Sequence, residues 1–268
     1  MSTIGTIVRR LLGARKHSEP QDNKEMSFLE HLEELRIQII KALIGICIST
    51  IFCAIYSNFI VEKLLLYPLR SAGLKSQVLS PYGIVLLYMQ AVLICGLILS
   101  MPYTIYCFWK FVAPGLLPSE RKYISRITFF TTICFICGVV FSYLVIIPVS
   151  LKFFSTFGTE TIELNIALDQ YVSFILVLLI GGGLIFEFPM ISYFLTKMGL
   201  LTPSIMRKYR RHAILAIFII SAIVTPSVDA VTQLLLAIPM VLLYEISIIV
   251  SALTKKENLK NRTSNNDK

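Results

Sequence analysis

Four stretches of this chain are apolar for about 20 residues or more, and no other feature restricts its fold so severely. They run from Ile37 to Tyr56, Tyr82 to Phe108, Ile127 to Ile147 and Tyr171 to Met198. A helix needs roughly 20 apolar residues to cross the hydrocarbon of a bilayer, and inside lipid the backbone must satisfy its own hydrogen bonds. Two further segments follow. Ala213 to Val224 is shorter than the roughly 17–25 residues of a full crossing. Val228 to Leu253 is long enough, but its first part is polar (Asp229, Thr232, Gln233) and Pro239 falls inside it. The last two segments therefore read as a hydrophobically short pair that thins the local bilayer or shelters behind its neighbours.

Composition agrees with this pattern. The 268 residues are 56% hydrophobic and 15% charged, with a mean hydropathy of +0.75. Soluble domains are usually about 45–50% apolar and about 25% charged. A single core of this size cannot hold the surplus, so much of it faces lipid. The expected fold class is all-α, a polytopic membrane protein with six transmembrane helices. Residues 1–25 read as a flexible cytoplasmic tail, 26–253 as the membrane domain and 254–268 as a polar cytoplasmic tail.

Lys and Arg placement gives the orientation. They gather in the N-terminal region (Arg9, Arg10, Arg15, Lys16, Lys24, Arg36), in the second loop (Lys110, Arg121, Lys122, Arg126), in the fourth (Lys197, Arg207, Lys208, Arg210, Arg211) and in the C-terminal tail. The opposite side has Lys63, Arg70, Lys75 and Lys152. Positive loops stay in the cytoplasm, so both termini and loops two and four are expected there. The net charge of +9 thus reflects topology rather than nucleic-acid binding, and no Gly-rich phosphate loop or aromatic-interleaved basic stripe appears. The cytoplasmic loops are expected to meet anionic lipid headgroups. The first residues have no signal-peptide core, and no transit peptide is evident. That favours a bacterial cytoplasmic (inner) membrane, with an organellar membrane as the alternative.

At the punctuation points, Ser27 and Glu30 form a capping box that opens a short amphipathic helix through Phe28, Leu32 and Leu35. It should lie in the interface and lead straight into the first span. Ser57 to Pro81 reads as a long outer loop, Pro102 as a kink in the second span, Pro148 as the end of the third, and Val149 to Gln170 as another loop.

Few residues could carry chemistry. Cys134 and Cys137 form a CxxC pair, but all six cysteines (the others are Cys47, Cys53, Cys95 and Cys107) lie in apolar runs and read as packing residues. No HExxH, no GxSxG and no clustered metal ligands occur, so no enzymatic activity, cofactor or metal is expected. Glu187, between Phe186 and Phe188-Pro189, is inside a span. An acidic group at the bilayer centre costs about 2.5–3.5 kcal/mol on insertion scales. It reads either as a packed or solvated glutamate, as a polar anchor for a partner helix, or as a proton-coupled site. Glu34 and Glu120 fall on the cytoplasmic face. They read either as exposed ion pairs of little energetic weight, or as acceptors for a cationic ligand, for which guanidinium is the better geometric match than ammonium. Asp229, Gln233 and Glu245 give the last span a polar side suited to hydrogen bonds between helices.

Three functions meet these facts: a receptor and assembly core for export, a proton- or ion-coupled transporter working through Glu187, and a membrane enzyme. The missing catalytic set weakens the third. The two halves show no inverted repeat of the kind secondary transporters use. The residues alone leave the first two even.

A series of motifs shifts that balance. They are His31-Leu32-Glu33-Glu34-Leu35-Arg36; Phe111-Val112-Ala113-Pro114-Gly115-Leu116 with Glu120-Arg121; Phe141-Ser142-Tyr143 and Pro148; Phe186-Glu187-Phe188-Pro189; Thr225-Pro226 with Asp229 and Gln233; and Leu243-Tyr244-Glu245. In this order, over about Met26 to Ala252, the chain resembles the TatC family, the receptor subunits of the twin-arginine protein translocase. The resemblance implies six helices in a cupped arrangement and recognition of twin-arginine signal peptides at the cytoplasmic face. Glu34 and Glu120 would contact the two arginines, Phe111 would lie beside them, and Arg36 would order the same surface. Glu187 would face the concave side within the membrane, and with Asp229 and Gln233 would contact partner subunits. The implied partners are signal peptides of folded cargo, TatA and TatB family single-span subunits, membrane lipids and further copies of the chain in a receptor complex. The tail before Met26 is longer than the family needs, and Pro118 alters the approach to Glu120.

Overall fold

The computed structural model describes residues 28–113, 124–156, 165–224 and 230–266. The capping serine Ser27, together with Glu120 and Asp229, lies outside the described residues.

The amphipathic opening and the first span are one helix, α1 (Phe28–Ile55). Ser57 to Pro81 is largely helical rather than an open loop. A short α2 (Ser57–Phe59) runs into a π-helical segment at Ile60–Leu65 and then α3 (Tyr67–Ser71). Val61, Leu65 and Leu69 from this stretch are buried in the main core. Strand β1 (Lys75–Gln77) follows, then α4 (Gly83–Val112), which continues through Pro102.

The third span is also longer than its proline suggests. Helix α5 (Ile124–Phe141) passes through a π-helical stretch at Ser142–Ile146 into α6 (Ile147–Ser155). Pro148 has no N–H for the carbonyl one turn before it. The π turn absorbs that gap: the Ile147 N–H reaches back to the Ser142 carbonyl, and Pro148 sits in the first turn of α6, where the missing donor costs nothing.

Next come β2 (Asn165–Ala167), α7 (Leu168–Ile185), α8 (Phe188–Lys197), α9 (Pro203–Lys208), α10 (Arg210–Val224) and α11 (Ala230–Asn266). β1 and β2 pair in parallel, Lys75 opposite Asn165 and Gln77 opposite Ala167. This two-stranded sheet is the departure from helix that local sequence did not signal. Its strands are three residues each, too short for a periodic pattern.

Among the described residues, five helical stretches are long and apolar enough to cross a membrane: Glu30–Ile55, Gly83–Val112, Ile124–Ser155, Leu168–Lys197 and Ala230–Lys256. Helix α10, at 15 residues, extends only about 22 Å, short of the roughly 30 Å hydrocarbon thickness. The core gathers around α7, the most buried of these stretches, whereas α1 is the least buried. Val172, Ile175, Leu176 and Leu178 of α7 pack with Leu65, Leu87, Ile147 and Leu236.

Where α7 meets its neighbours, glycine sets the spacing. A Cβ on Gly138 would lie 2.5 Å from the Gly182 carbonyl oxygen and 2.9 Å from the Gly183 Cα. Gly183 in turn receives the Phe135 ring, and Gly181 faces Val224. The Gly181-Gly182-Gly183 run thus admits α5 and α10 on separate faces, the close approach that small residues allow inside membranes. On the other side, Gly96 of α4 lies against the Thr50 backbone of α1.

Two tyrosines fasten the segment between α1 and α4 to the bundle. The Tyr143 hydroxyl donates to the Leu64 carbonyl at 2.9 Å, and the Tyr171 hydroxyl donates to the Leu65 carbonyl at 2.9 Å. Leu64 is one turn before Pro68, which has no N–H to offer it. The tyrosine supplies the missing donor.

Candidate functional site

The sequence-predicted residues fall into two separate places. The first is where the start of α1 meets the end of α4. The His31 ring stacks on the Phe111 ring with centroids 4.5 Å apart and planes 20° from parallel. This pins the two helix ends to each other. Glu34, one turn after His31, is half-buried, and Phe111 is half-buried as well. Arg36 is exposed. His31 and Glu34 share the α1 face that meets Phe111, whereas Arg36, two residues after Glu34, is exposed on a different face of the helix.

Gln38 joins this group, although nothing in the apolar pattern singles it out. It is only 3% exposed, and its side-chain Nε2 donates to Glu34 Oε1. The signal was present as an i, i+4 spacing, since residues four apart share a helix face. An amide at the start of an apolar run reads as a tolerated polar residue until its partner is seen.

The second place is the break in the fourth span. Helix α7 ends at Ile185 and α8 begins at Phe188, with Glu187 at the N-cap position and Pro189 in the first turn. Pro189 has no N–H for the carbonyl one turn before it and a proline starts helices well, although Phe186 and Glu187 both keep helical torsions. That is why the span divides here. Glu187 is 8% exposed, and neither carboxylate oxygen has a hydrogen-bond partner among the described residues. Its position faces the positive end of the α8 dipole, which favours an acidic group. Beside it, Phe186 lines an apolar hollow of about 500 Å³ with Phe141, Val145, Leu235, Pro239 and Leu242. The hollow lies between the third span and α11.

Gln233 does not lie free. Its Nε2 donates to the Phe218 carbonyl at 3.0 Å, tying α11 to α10. Glu245 forms an ion pair with Arg210 at 2.6 Å, and Tyr244 donates to the Met206 carbonyl at 2.8 Å. Thr196 and Ser251 share a further hydrogen bond at 2.7 Å. The polar side of the last span therefore holds α8, α9, α10 and α11 to one another. Cys134 and Cys137 are free thiols, the first half-buried and the second exposed.

The two places differ in chemistry. The first is an acceptor site: a half-buried carboxylate beside an aromatic face at the end of a helix pair. Such a site suits a cationic, planar group. The second is an uncompensated polar point inside an apolar wall.

Comparison with known proteins gives a consistent result. The family profile described as TatC, Sec-independent protein translocase protein, matches residues 30–239. The Sec-independent protein translocase protein TatC of Carboxydothermus hydrogenoformans is 35% identical over 234 residues, 87% of this chain and 96% of that one. The chloroplastic TATC of Pisum sativum is 36% identical over 223 residues, 83% of this chain and 63% of that one. A crystal structure of the twin-arginine translocase receptor TatC aligns with a TM-score of 0.77 at 32% identity, covering 84% of this chain and 99% of that one.

Proposed function

Since this chain belongs to the TatC family of Sec-independent protein translocase proteins, we propose that it binds twin-arginine signal peptides at the cytoplasmic membrane face. It is a membrane-embedded translocase subunit and receptor rather than an enzyme. With single-span TatA and TatB family subunits it exports folded proteins, and it works in a bacterial inner membrane as part of a complex containing further copies of itself.

The observation that carries this reading is the His31–Phe111 stack beside the half-buried Glu34 carboxylate. One arginine of the signal docks on Glu34 with Phe111 beneath it. The second docks on Glu120, in the segment that continues from α4 on the same side of the membrane. Arg36 orders that surface and steers the acidic groups. Each charge-assisted hydrogen bond contributes about 1.5–3 kcal/mol. Lysine presents a point charge without the fork, so it binds less well.

In the same reading all six apolar segments cross, α10 as a short span, and both termini are cytoplasmic. Residues 1–25 and 254–268 serve as cytoplasmic tails around the membrane domain. Glu187, Asp229 and Gln233 form the contact for partner helices, Glu187 gaining from a partner the hydrogen bonds it lacks alone.

The test is binding of a fluorescent twin-arginine peptide to the purified full chain in nanodiscs. A twin-lysine peptide and the Glu34→Gln plus Glu120→Gln variant run beside it. Strong binding of the arginine peptide by the wild type, with at least tenfold loss in both controls, is the expected result. Equal binding in all three reduces the carboxylates to surface charges and moves proton-coupled transport through Glu187 to the front.

A further inference from the structure

We propose that Gln38 is a positioning residue for arginine recognition: it clamps one oxygen of Glu34 so that the other is presented to the guanidinium. The inference rests on the receptor reading above.

The geometry is specific. Gln38 Nε2 donates to Glu34 Oε1. A carboxylate oxygen only accepts, so the amide must turn its nitrogen toward Glu34. Glu34 Oε2 carries no hydrogen bond among the described residues. One oxygen is thus fixed and one is available, which selects a single carboxylate orientation on a side chain that otherwise has three free torsions.

The amide makes this bond at a cost. Gln38 is 3% exposed, and its own Oε1 is buried with no partner. The oxygen and nitrogen of one amide are about 2.2 Å apart, so this orphaned acceptor lies directly beside the clamped carboxylate. A buried, unsatisfied polar atom destabilises the fold in which it sits. An apolar side chain of the same volume would suit this site on α1 better for stability alone. The residue is therefore best accounted for by what its N–H₂ does to Glu34. The orphaned oxygen has a use in the same step, because a guanidinium brought to Glu34 Oε2 carries further N–H donors in a fixed fork. A lysine ammonium has no such fork, so the clamp acts on the choice between arginine and lysine.

The experiment compares the full chain, Gln38→Met and Gln38→Leu in nanodiscs. Each is titrated with a twin-arginine and a twin-lysine peptide, and its thermal stability is measured. Both variants keep the side-chain volume and remove donor and acceptor together. The expected result is an unchanged or raised melting temperature, a roughly tenfold weaker arginine peptide, and an arginine-to-lysine ratio that falls toward one. A structural role alone would not produce that combination. Variants that discriminate as well as the wild type overturn the inference while leaving the receptor reading intact. Variants that lose both peptides equally and melt lower also overturn it, since Gln38 is then only a packing residue. A wild type that binds both peptides alike overturns the receptor reading and this inference with it.

Discussion

Glu187 and Glu34 are both glutamates in helical segments, and their surroundings separate them. Glu34 is half-buried and held by an amide. Glu187 is almost wholly buried and held by nothing but the field of a helix end. A buried unsatisfied polar group costs about 1–3 kcal/mol. Glu187→Leu is therefore expected to stabilise the isolated chain by about that amount, read as a raised melting temperature in detergent. In membranes the same substitution is expected to abolish site-specific cross-linking to single-span partner subunits. A lowered melting temperature would mean that the carboxyl is supported from within the chain, and its place as a partner contact would be lost. The presence of Glu187 in a span was plain in the sequence. Its lack of a partner was not, because only the packing of the surrounding helices shows which polar atoms find one another.

At the scale of elements, glycine and proline decide how the helices meet. The Gly181-Gly182-Gly183 run is visible in the sequence, but its counterpart Gly138 is an isolated glycine 43 positions earlier, with no local mark of importance. In the fold they face each other across the α5–α7 crossing. Gly138→Ala would gain up to about 1 kcal/mol of helix propensity. It would also place a Cβ within 2.5 Å of backbone that cannot rotate away. The helices must separate, so a net loss of about 1–3 kcal/mol is expected, measured as a lower unfolding midpoint. Gly45→Ala is the informative control. It meets the Tyr103 ring, a side chain on a lipid-exposed flank, and is expected to cost less. Equal stability of wild type and Gly138→Ala would show that the crossing is looser than its geometry. The prolines taught the reverse lesson. Pro102, Pro148 and Pro239 all lie inside continuous helical stretches, because helices in such a bundle have neighbours and π turns to repair the missing donor.

For the whole molecule the number of crossings turns on its short apolar helix α10. The proposed cytoplasmic placement of both termini needs an even count, and among the described residues five stretches have the length of a full span. Helix α10 decides the matter. It packs on α11 through Gln233 and the Phe218 carbonyl, and its exposed apolar residues Leu215, Ile219 and Ile223 suit a lipid environment. Single cysteines at Lys208 and Lys268 in a cysteine-free background are expected to react with an impermeant maleimide from the same, cytoplasmic side. One at Ser76 is expected to react from the other. Labelling of positions 208 and 268 from opposite sides would show that α10 does not cross.

Hydropathy alone determined that the chain is a helical membrane protein, because burial of about 20 apolar residues in lipid needs no partner to be favourable. Ordered motifs also carried the family. Tertiary structure decided what depends on two distant segments at once. It paired Lys75–Gln77 with Asn165–Ala167, stacked His31 on Phe111 and brought the Tyr143 and Tyr171 hydroxyls to the carbonyls of Leu64 and Leu65. It left Glu187 without a partner while giving one to Gln233. Lipid affinity is a sum over single residues and can be read along the chain. A hydrogen bond or a stacked ring is a property of a pair, and it exists only once the fold has chosen which pairs meet.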